Sequence, residues 1–151
     1  MNASTVLTPG DRFAIADLFA AYYWALDTGD IEAFIDTLVE HGTVQLVSPS
    51  RSTRFEGRSG MIALFEGLRQ WDSFAGCQHF SSQMRIEPSC TGRCHVRTFC
   101  GVVACRGEPP YRLQFAGRSD DLVVRIDDRW RFERRIVRLW AGEAVRNTLL
   151  L

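Results

Sequence analysis

The 151-residue sequence has no surplus of charge of either sign, with 18 Lys plus Arg against 18 Asp plus Glu. Zero net charge gives no electrostatic footprint for nucleic acid or for an anionic membrane surface. Apolar runs are short, Ile62-Ala63-Leu64-Phe65 being typical, and a membrane-spanning helix needs about 20 apolar residues in succession. Met1-Asn2-Ala3-Ser4-Thr5 has neither the basic stretch nor the apolar core of a secretory leader. The expectation is a cytoplasmic protein. No Cys-x-x-Cys pair occurs among Cys77, Cys90, Cys94, Cys100 and Cys105, so zinc-finger spacing is missing. Adjacent Cys94 and His95 in a strand would point to opposite faces and chelate poorly. The cysteines read as small hydrophobes in a reducing compartment, and no metal is expected. There is no Gly-x-Ser-x-Gly elbow and no phosphate loop. Gly92 and Gly101 are isolated strand glycines, better read as bends than as a cofactor fingerprint. Repeats, low-complexity segments and linkers are absent too. What remains is one domain over residues 1–151, 46% hydrophobic, enough to bury a single core.

The first part of the chain reads as helical and the second as strand-rich. Thr8 can cap a helix in which Pro9 takes the first position and Asp11 completes a capping box. Ile15, Leu18, Phe19, Tyr22 and Leu26 recur at helical spacing, and Gly29 ends the run. Asp30 can cap a second helix striped by Ile31, Phe34 and Leu38 and stopping near His41-Gly42. A third helix is expected from Ser59, carrying Ile62, Phe65 and Leu68. Strands are expected at Thr43–Val47, Ser52–Glu56, Gln78–Glu87, Cys94–Cys105, Tyr111–Arg118, Leu122–Ile126 and Trp130–Trp140. Asp127-Asp128 reads as a tight hairpin turn. Helices followed by a long antiparallel meander argue for α+β, with helices on one face of a curved sheet.

Three places could carry chemistry. Gln78 to Ile86 alternates, with His79, Ser81, Gln83 and Arg85 on one face. That face is either solvated or a polar pocket wall, where an imidazole is a natural general base. Asp27 closes an apolar helix after Tyr22, Tyr23, Trp24, Ala25 and Leu26; negative charge is unfavourable at a helix C-terminus and asks for a reason. In the last strand Trp130, Phe132, Arg134, Ile136, Arg138 and Trp140 share one parity. Arginines on such a face need partners or an anion. Arg131, Glu133 and Arg135 share the other parity, which looks solvated, and a β-bulge near Arg134–Val137 would exchange the two. His41, near the expected end of the second helix, and His95, in a strand, read as structural.

These residues together resemble the SnoaL-like branch of the NTF2-like superfamily over Asp11 to Ala141. The matching pieces are Tyr22-Tyr23-Trp24-Ala25-Leu26-Asp27-Thr28-Gly29-Asp30, Phe55-Glu56-Gly57-Arg58, Gln78-His79-Phe80, Gly117-Arg118-Ser119-Asp120-Asp121 and Asp128 to Arg135. The resemblance implies a cone of strongly curved, mostly antiparallel sheet, with about three N-terminal helices closing a central pocket. Scytalone dehydratase, hexachlorocyclohexane dehydrochlorinase and bile-acid 7α-dehydratase are lyases of this superfamily, which also holds polyketide cyclases, ketosteroid isomerase and noncatalytic dioxygenase subunits. By similarity Asp27 matches the lyases' helix aspartate and His79 their strand histidine. Tyr22 matches the bile-acid enzyme's pocket tyrosine, with Tyr23 better placed on a regular helix. Val137-Arg138-Leu139-Trp140 looks like the segment carrying that enzyme's arginine, and Arg135 looks like the dehydrochlorinase arginine. The second histidine of scytalone dehydratase and the extra strand aspartate of the bile-acid enzyme have no counterpart near Gly101 to Cys105.

The resemblance implies a lyase, isomerase or cyclase that needs no cofactor and acts on a small hydrophobic ring-containing molecule. Asp27, His79, Tyr22 and Arg138 are the expected catalytic residues; Arg135, Tyr23 and Trp140 are expected to bind substrate. The alternative is a noncatalytic small-ligand-binding or assembly protein of the same shape. Either is compatible with a homodimer or higher homo-oligomer and needs neither nucleic acid nor membrane.

Overall fold

The computed structural model describes residues 6–70, 76–104 and 111–139. Cys105 and Trp140 lie outside them. The order is α1 (Pro9–Thr28), α2 (Ile31–Asp36), β1 (Leu38–Ser48), β2 (Arg51–Glu56), α3 (Gly57–Arg69), β3 (Cys77–Cys90), β4 (Arg93–Ala104), β5 (Arg112–Ile126) and β6 (Arg129–Leu139). The strands form one curved sheet in the order β2-β1-β6-β5-β4-β3. All neighbours are antiparallel except β1 and β6. This is the expected α+β class, a four-strand meander with a hairpin added at one edge. Among the described residues, no helix is long and apolar enough to cross a membrane.

The Thr8–Asp11 capping box starts α1. Ile15, Leu18, Phe19, Tyr22, Tyr23, Ala25 and Leu26 form its buried face. Gly29, left-handed at φ 86°, ends it by donating to the Ala25 carbonyl. Asp30 caps α2 through the Ala33 amide. That helix stops at Asp36, short of the expected His41-Gly42. Thr37 takes the Phe34 carbonyl with its hydroxyl, and its own carbonyl accepts the Phe132 amide. The chain is therefore already pairing with β6 at Leu38, and His41 is an exposed strand residue rather than one at a helix end. The third helix begins at Gly57, two residues before Ser59, and buries Met61, Leu64 and Phe65.

Two irregularities decide which side chains face inward. In β3 the pairing with β4 slips between Ser82 and Arg85, around Gln83 at φ 50°. Cys77, His79 and Ser81 face in before the bulge, Met84 and Ile86 after it, so the strict alternation expected over Gln78–Ile86 is broken. In β6, Phe132 pairs with Val123 and Arg134 with Leu122, which leaves Glu133 as the extra residue. The expected break at Ser119–Asp121 is absent: β5 runs on to Ile126 and turns at Asp127-Asp128, both left-handed, as a two-residue hairpin requires. Phe19, Tyr22, Phe34 and Phe132 interlock where α1 and α2 meet the sheet.

Candidate active site

Asp27 lies in the last turn of α1 and His79 near the start of β3. The carboxylate holds both parts of the histidine: Oδ2 accepts the His79 backbone amide at 2.8 Å, and Oδ1 lies 2.5 Å from ring Nδ1. The side chains are 19% and 14% exposed. A carboxylate can only accept, so Nδ1 carries the proton and the basic lone pair of the neutral ring is on Nε2. These two donors explain an acid at a helix C-terminus. Arg69 adds a third compensation, donating from Nη1 to the Leu26 carbonyl at 3.2 Å. Its guanidinium fills the space where a Cβ on Gly29 would fall, 2.9 Å from Nη2.

Arg135 is fully buried on β6 and pairs with Asp121 on β5, also fully buried. Its Nε donates to Oδ1 at 3.1 Å and Nη2 to Oδ2 at 3.5 Å. Ser119 donates to the same carboxylate at 2.6 Å and meets Thr98 at 2.9 Å. Burial pushes the Asp121 carboxyl up against the pull of Arg135. Burial disfavours the guanidinium as well, but the facing carboxylate together with Tyr23 and Tyr22 outweighs it and holds Arg135 charged. The rings of Tyr22 and Phe132 lie 4.2 Å from the guanidinium carbon, with Phe19 and Tyr23 at 4.9 and 5.3 Å, a cage suited to a desolvated cation.

Tyr23 joins the two clusters. Its hydroxyl oxygen accepts from Arg135 Nη2 at 3.3 Å, and its ring stacks on His79 with centroids 5.8 Å apart. Burial pushes Tyr22 up to about 12 and raises Tyr23 too, so both are neutral hydroxyls at neutral pH. Beside Tyr23, burial pushes the Cys100 thiol up to about 11, making it a small neutral group rather than a nucleophile. Tyr22, Tyr23, His79, Cys100 and Arg135 line one cavity of about 600 Å³, whose remaining wall is mostly apolar, with Leu46, Phe55, Leu64 and Phe115 prominent. That volume suits a drug-sized organic molecule. Asp27 is not part of the wall; it touches the ring that is. Among the described residues, no group of three or more His, Cys, Asp or Glu side chains is placed to hold a metal ion.

The SnoaL-like domain family matches residues 10–136. The chain belongs to this family. An NTF2-like protein with a cystatin-like fold from Novosphingobium aromaticivorans superposes on it with a TM-score of 0.77 at 26% identity, over 94% of this chain and 90% of that one. A candidate scytalone dehydratase from the same organism gives 0.71 at 25%, over 90% and 89%. The β subunit of a candidate aromatic-ring-hydroxylating dioxygenase, again from that organism, gives 0.71 at 18%, over 91% and 92%; identity that low speaks for the fold alone. No curated protein matches at a significant level.

In this SnoaL-like chain Asp27 and His79 are in contact, and Tyr22, Tyr23 and Arg135 line the cavity with His79. Arg138, expected among the catalytic residues, is not in the cavity wall. It points to the other face of β6, with Nε 3.9 Å from Asp120, and Arg134 is exposed. The bulge at Glu133 causes this by exchanging the parity that Trp130 and Phe132 establish. Trp140 lies outside the described residues. Asp121, Ser119 and Thr98 were not expected at the site. The available signal was an acid three residues before Val124, on the parity of Ser119 and Val123, opposite an arginine-rich strand.

Proposed function

We propose that this SnoaL-like protein is a lyase or isomerase that uses no cofactor and acts on a small hydrophobic ring-containing molecule. The observation that carries this reading is the 2.5 Å contact between Asp27 Oδ1 and His79 Nδ1 at the wall of an apolar cavity. Asp27 fixes the tautomer, and Nε2 takes a proton from a ring carbon of the substrate. The C–H electron pair becomes a C=C bond. In an elimination the group on the neighbouring carbon leaves with its bonding pair; in an isomerisation the pair moves into the conjugated system and a proton returns elsewhere. The imidazolium then gives its proton to the departing group or to the product. Tyr23 can donate a hydrogen bond to the oxygen on which charge develops, and the caged Arg135 cation stabilises that charge in a largely apolar site. Tyr22 serves mainly through its ring against Arg135 and Phe132.

The test is turnover of a panel of hydroxylated and ketonic ring compounds by wild type, Asp27→Asn and His79→Gln. Both variants should keep the wild-type circular dichroism spectrum and lose about 10³-fold or more in kcat/KM. Wild-type rates in either one would remove the dyad. A second reading, a noncatalytic binding or assembly protein, is favoured by the outer sheet face. There Phe80 on β3 and Phe99 on β4 are 42% and 43% exposed, an apolar surface on which a second copy of the chain could pack. A ligand bound stoichiometrically and released unchanged, by a protein inactive across the panel, would favour it. A cytoplasmic setting and a small-molecule partner belong to both readings.

A further inference from the structure

The groups in the cavity wall that can carry charge are all basic. Arg51, His79 and Arg135 line it, and among the described residues no aspartate or glutamate does. Two of the three are already offset from behind, Arg135 by Asp121 and His79 by Asp27. Arg51 forms no ion pair among the described residues. A guanidinium is charged at any physiological pH, so this mostly apolar cavity has one positive charge in its wall that no carboxylate offsets.

The hairpin of β1 and β2 puts that charge at the rim and turns it inward. Along β2, Thr53 and Phe55 are half-buried and line the cavity, while Ser52, Arg54 and Glu56 are exposed on the other face. Arg51 continues the parity of Thr53 and Phe55. Its Nε donates to Thr53 Oγ1 at 3.0 Å, which draws the guanidinium back along the inward face and leaves both Nη groups, the fork that grips a carboxylate. The backbone beneath is held by Ser48, whose hydroxyl accepts the Arg51 amide and donates to the Arg51 carbonyl, both at 3.2 Å. Arg51 is exposed, so a molecule in the cavity can reach it. Arg135 pairs with Val44 on β1, and Arg51 pairs with Ser48. Ser48 is four residues beyond Val44, roughly 13 Å along the strand, with Leu46, Thr53 and Val137 lining the wall between.

We propose that Arg51 is a carboxylate subsite at the rim of the cavity, so that the ligand is a ring-containing monoacid with its ring in the apolar interior and its carboxylate on the Arg51 Nη groups. One cation matches one negative charge, and the flat guanidinium fork matches a carboxylate. No acidic side chain in the described wall repels it. The pair stays partly in water, so it contributes selectivity for the acid over a neutral analogue more than tight binding. This names the substrate class of the proposed function and rests on that reading only in taking the cavity as the ligand site. It does not rest on proton transfer by the dyad.

The experiment is fluorescence titration of the full chain, at neutral pH, with 6-hydroxy-2-naphthoate and with its methyl ester, which share one ring system and differ in charge. Wild type should bind the acid more tightly than the ester, and added salt should weaken the acid selectively. In Arg51→Gln the ratio of the acid Kd to the ester Kd should rise at least about threefold, with a melting temperature within about 2 °C of wild type. Arg54→Gln is the control. Arg54 lies on the opposite face of β2 and pairs with Glu56 at 3.1 Å, and its loss should leave the ratio where it is. Four results would overturn the proposal: a smaller rise in Arg51→Gln, an equal rise in Arg54→Gln, a wild type that prefers the ester, or a wild type that binds neither probe. Acid binding that depends on Arg51, in a protein that turns over no ring compound, would remove the dyad chemistry and leave the subsite standing. Turnover of ring compounds with an unchanged ratio would do the reverse.

Discussion

Removing Arg135 tests the site from its most buried point. In Arg135→Met, Asp121 keeps only Ser119, at 2.6 Å, as a side-chain donor among the described residues, in a position with no solvent exposure. Breaking a buried ion pair by deleting one partner destabilises by about 3–5 kcal/mol, because the other charge is left uncompensated. For a chain of this size that corresponds to a melting temperature about 6–20 °C lower. The aromatic cage adds to the loss, since its four rings no longer face a cation. Replacing both partners, as Arg135→Met with Asp121→Leu, should behave differently. Ser119 and Thr98 still bond to each other at 2.9 Å, and an apolar pair of similar volume can be neutral or better. Urea unfolding followed by circular dichroism would measure the cycle, read as an interaction energy. The double variant should recover most of the loss of the single one. It should also lose about 10²–10³ in turnover, the usual effect of removing one donor to a developing charge. A single variant within about 1 kcal/mol of wild type, or a double variant at the sum of the two single losses, would refute the reasoning.

Alkaline pH should unfold the protein. Tyr22 is pushed up to about 12 in the folded chain against an ordinary value near 10, and Cys100 up to about 11. Between about pH 10 and 12 the unfolded chain has released protons that the folded chain retains, so the stability present below about pH 10 is lost as pH rises. Tyr22 alone accounts for about 3 kcal/mol across that range; a melting temperature flat to about pH 12 would contradict it. At the dyad, Asp27→Asn retains an oxygen for the His79 amide and should cost less than about 1 kcal/mol, whereas Asp27→Ala gives up both contacts and should cost about 1–3 kcal/mol in the same urea assay. Equal losses would mean that the amide contact contributes nothing.

The helices were legible because their determinants are local: a capping box at Thr8, a left-handed glycine at Gly29 and a cap at Asp30 each act within a few residues. The contact between Asp27 and His79 was legible through the family resemblance rather than through spacing, since the two are joined across 52 positions. What stayed hidden depends on partners distant in sequence. Glu133 is an extra residue only relative to β5, so nothing in β6 alone shows that Arg135 rather than Arg138 turns inward. Ser119-Asp120-Asp121 fell between two expected strands; the structure carries the acid in mid-strand because Arg135 meets it. The stop of α2 at Asp36 is likewise set by β6, through the Phe132 amide and the Thr37 carbonyl.

The central claim is that Asp27 holds the proton on His79 Nδ1 and so directs the basic nitrogen of the ring to the cavity chemistry. Nitrogen-15 NMR of the histidine side chains in the wild-type protein and in Asp27→Asn tests it without a substrate. The account predicts a far-downfield, exchange-protected proton on His79 Nδ1 in the wild type that is lost in the variant. A His79 ring with its proton on Nε2 and a bare Nδ1 in the wild type, or an Nδ1 proton unaffected by Asp27→Asn, would contradict it.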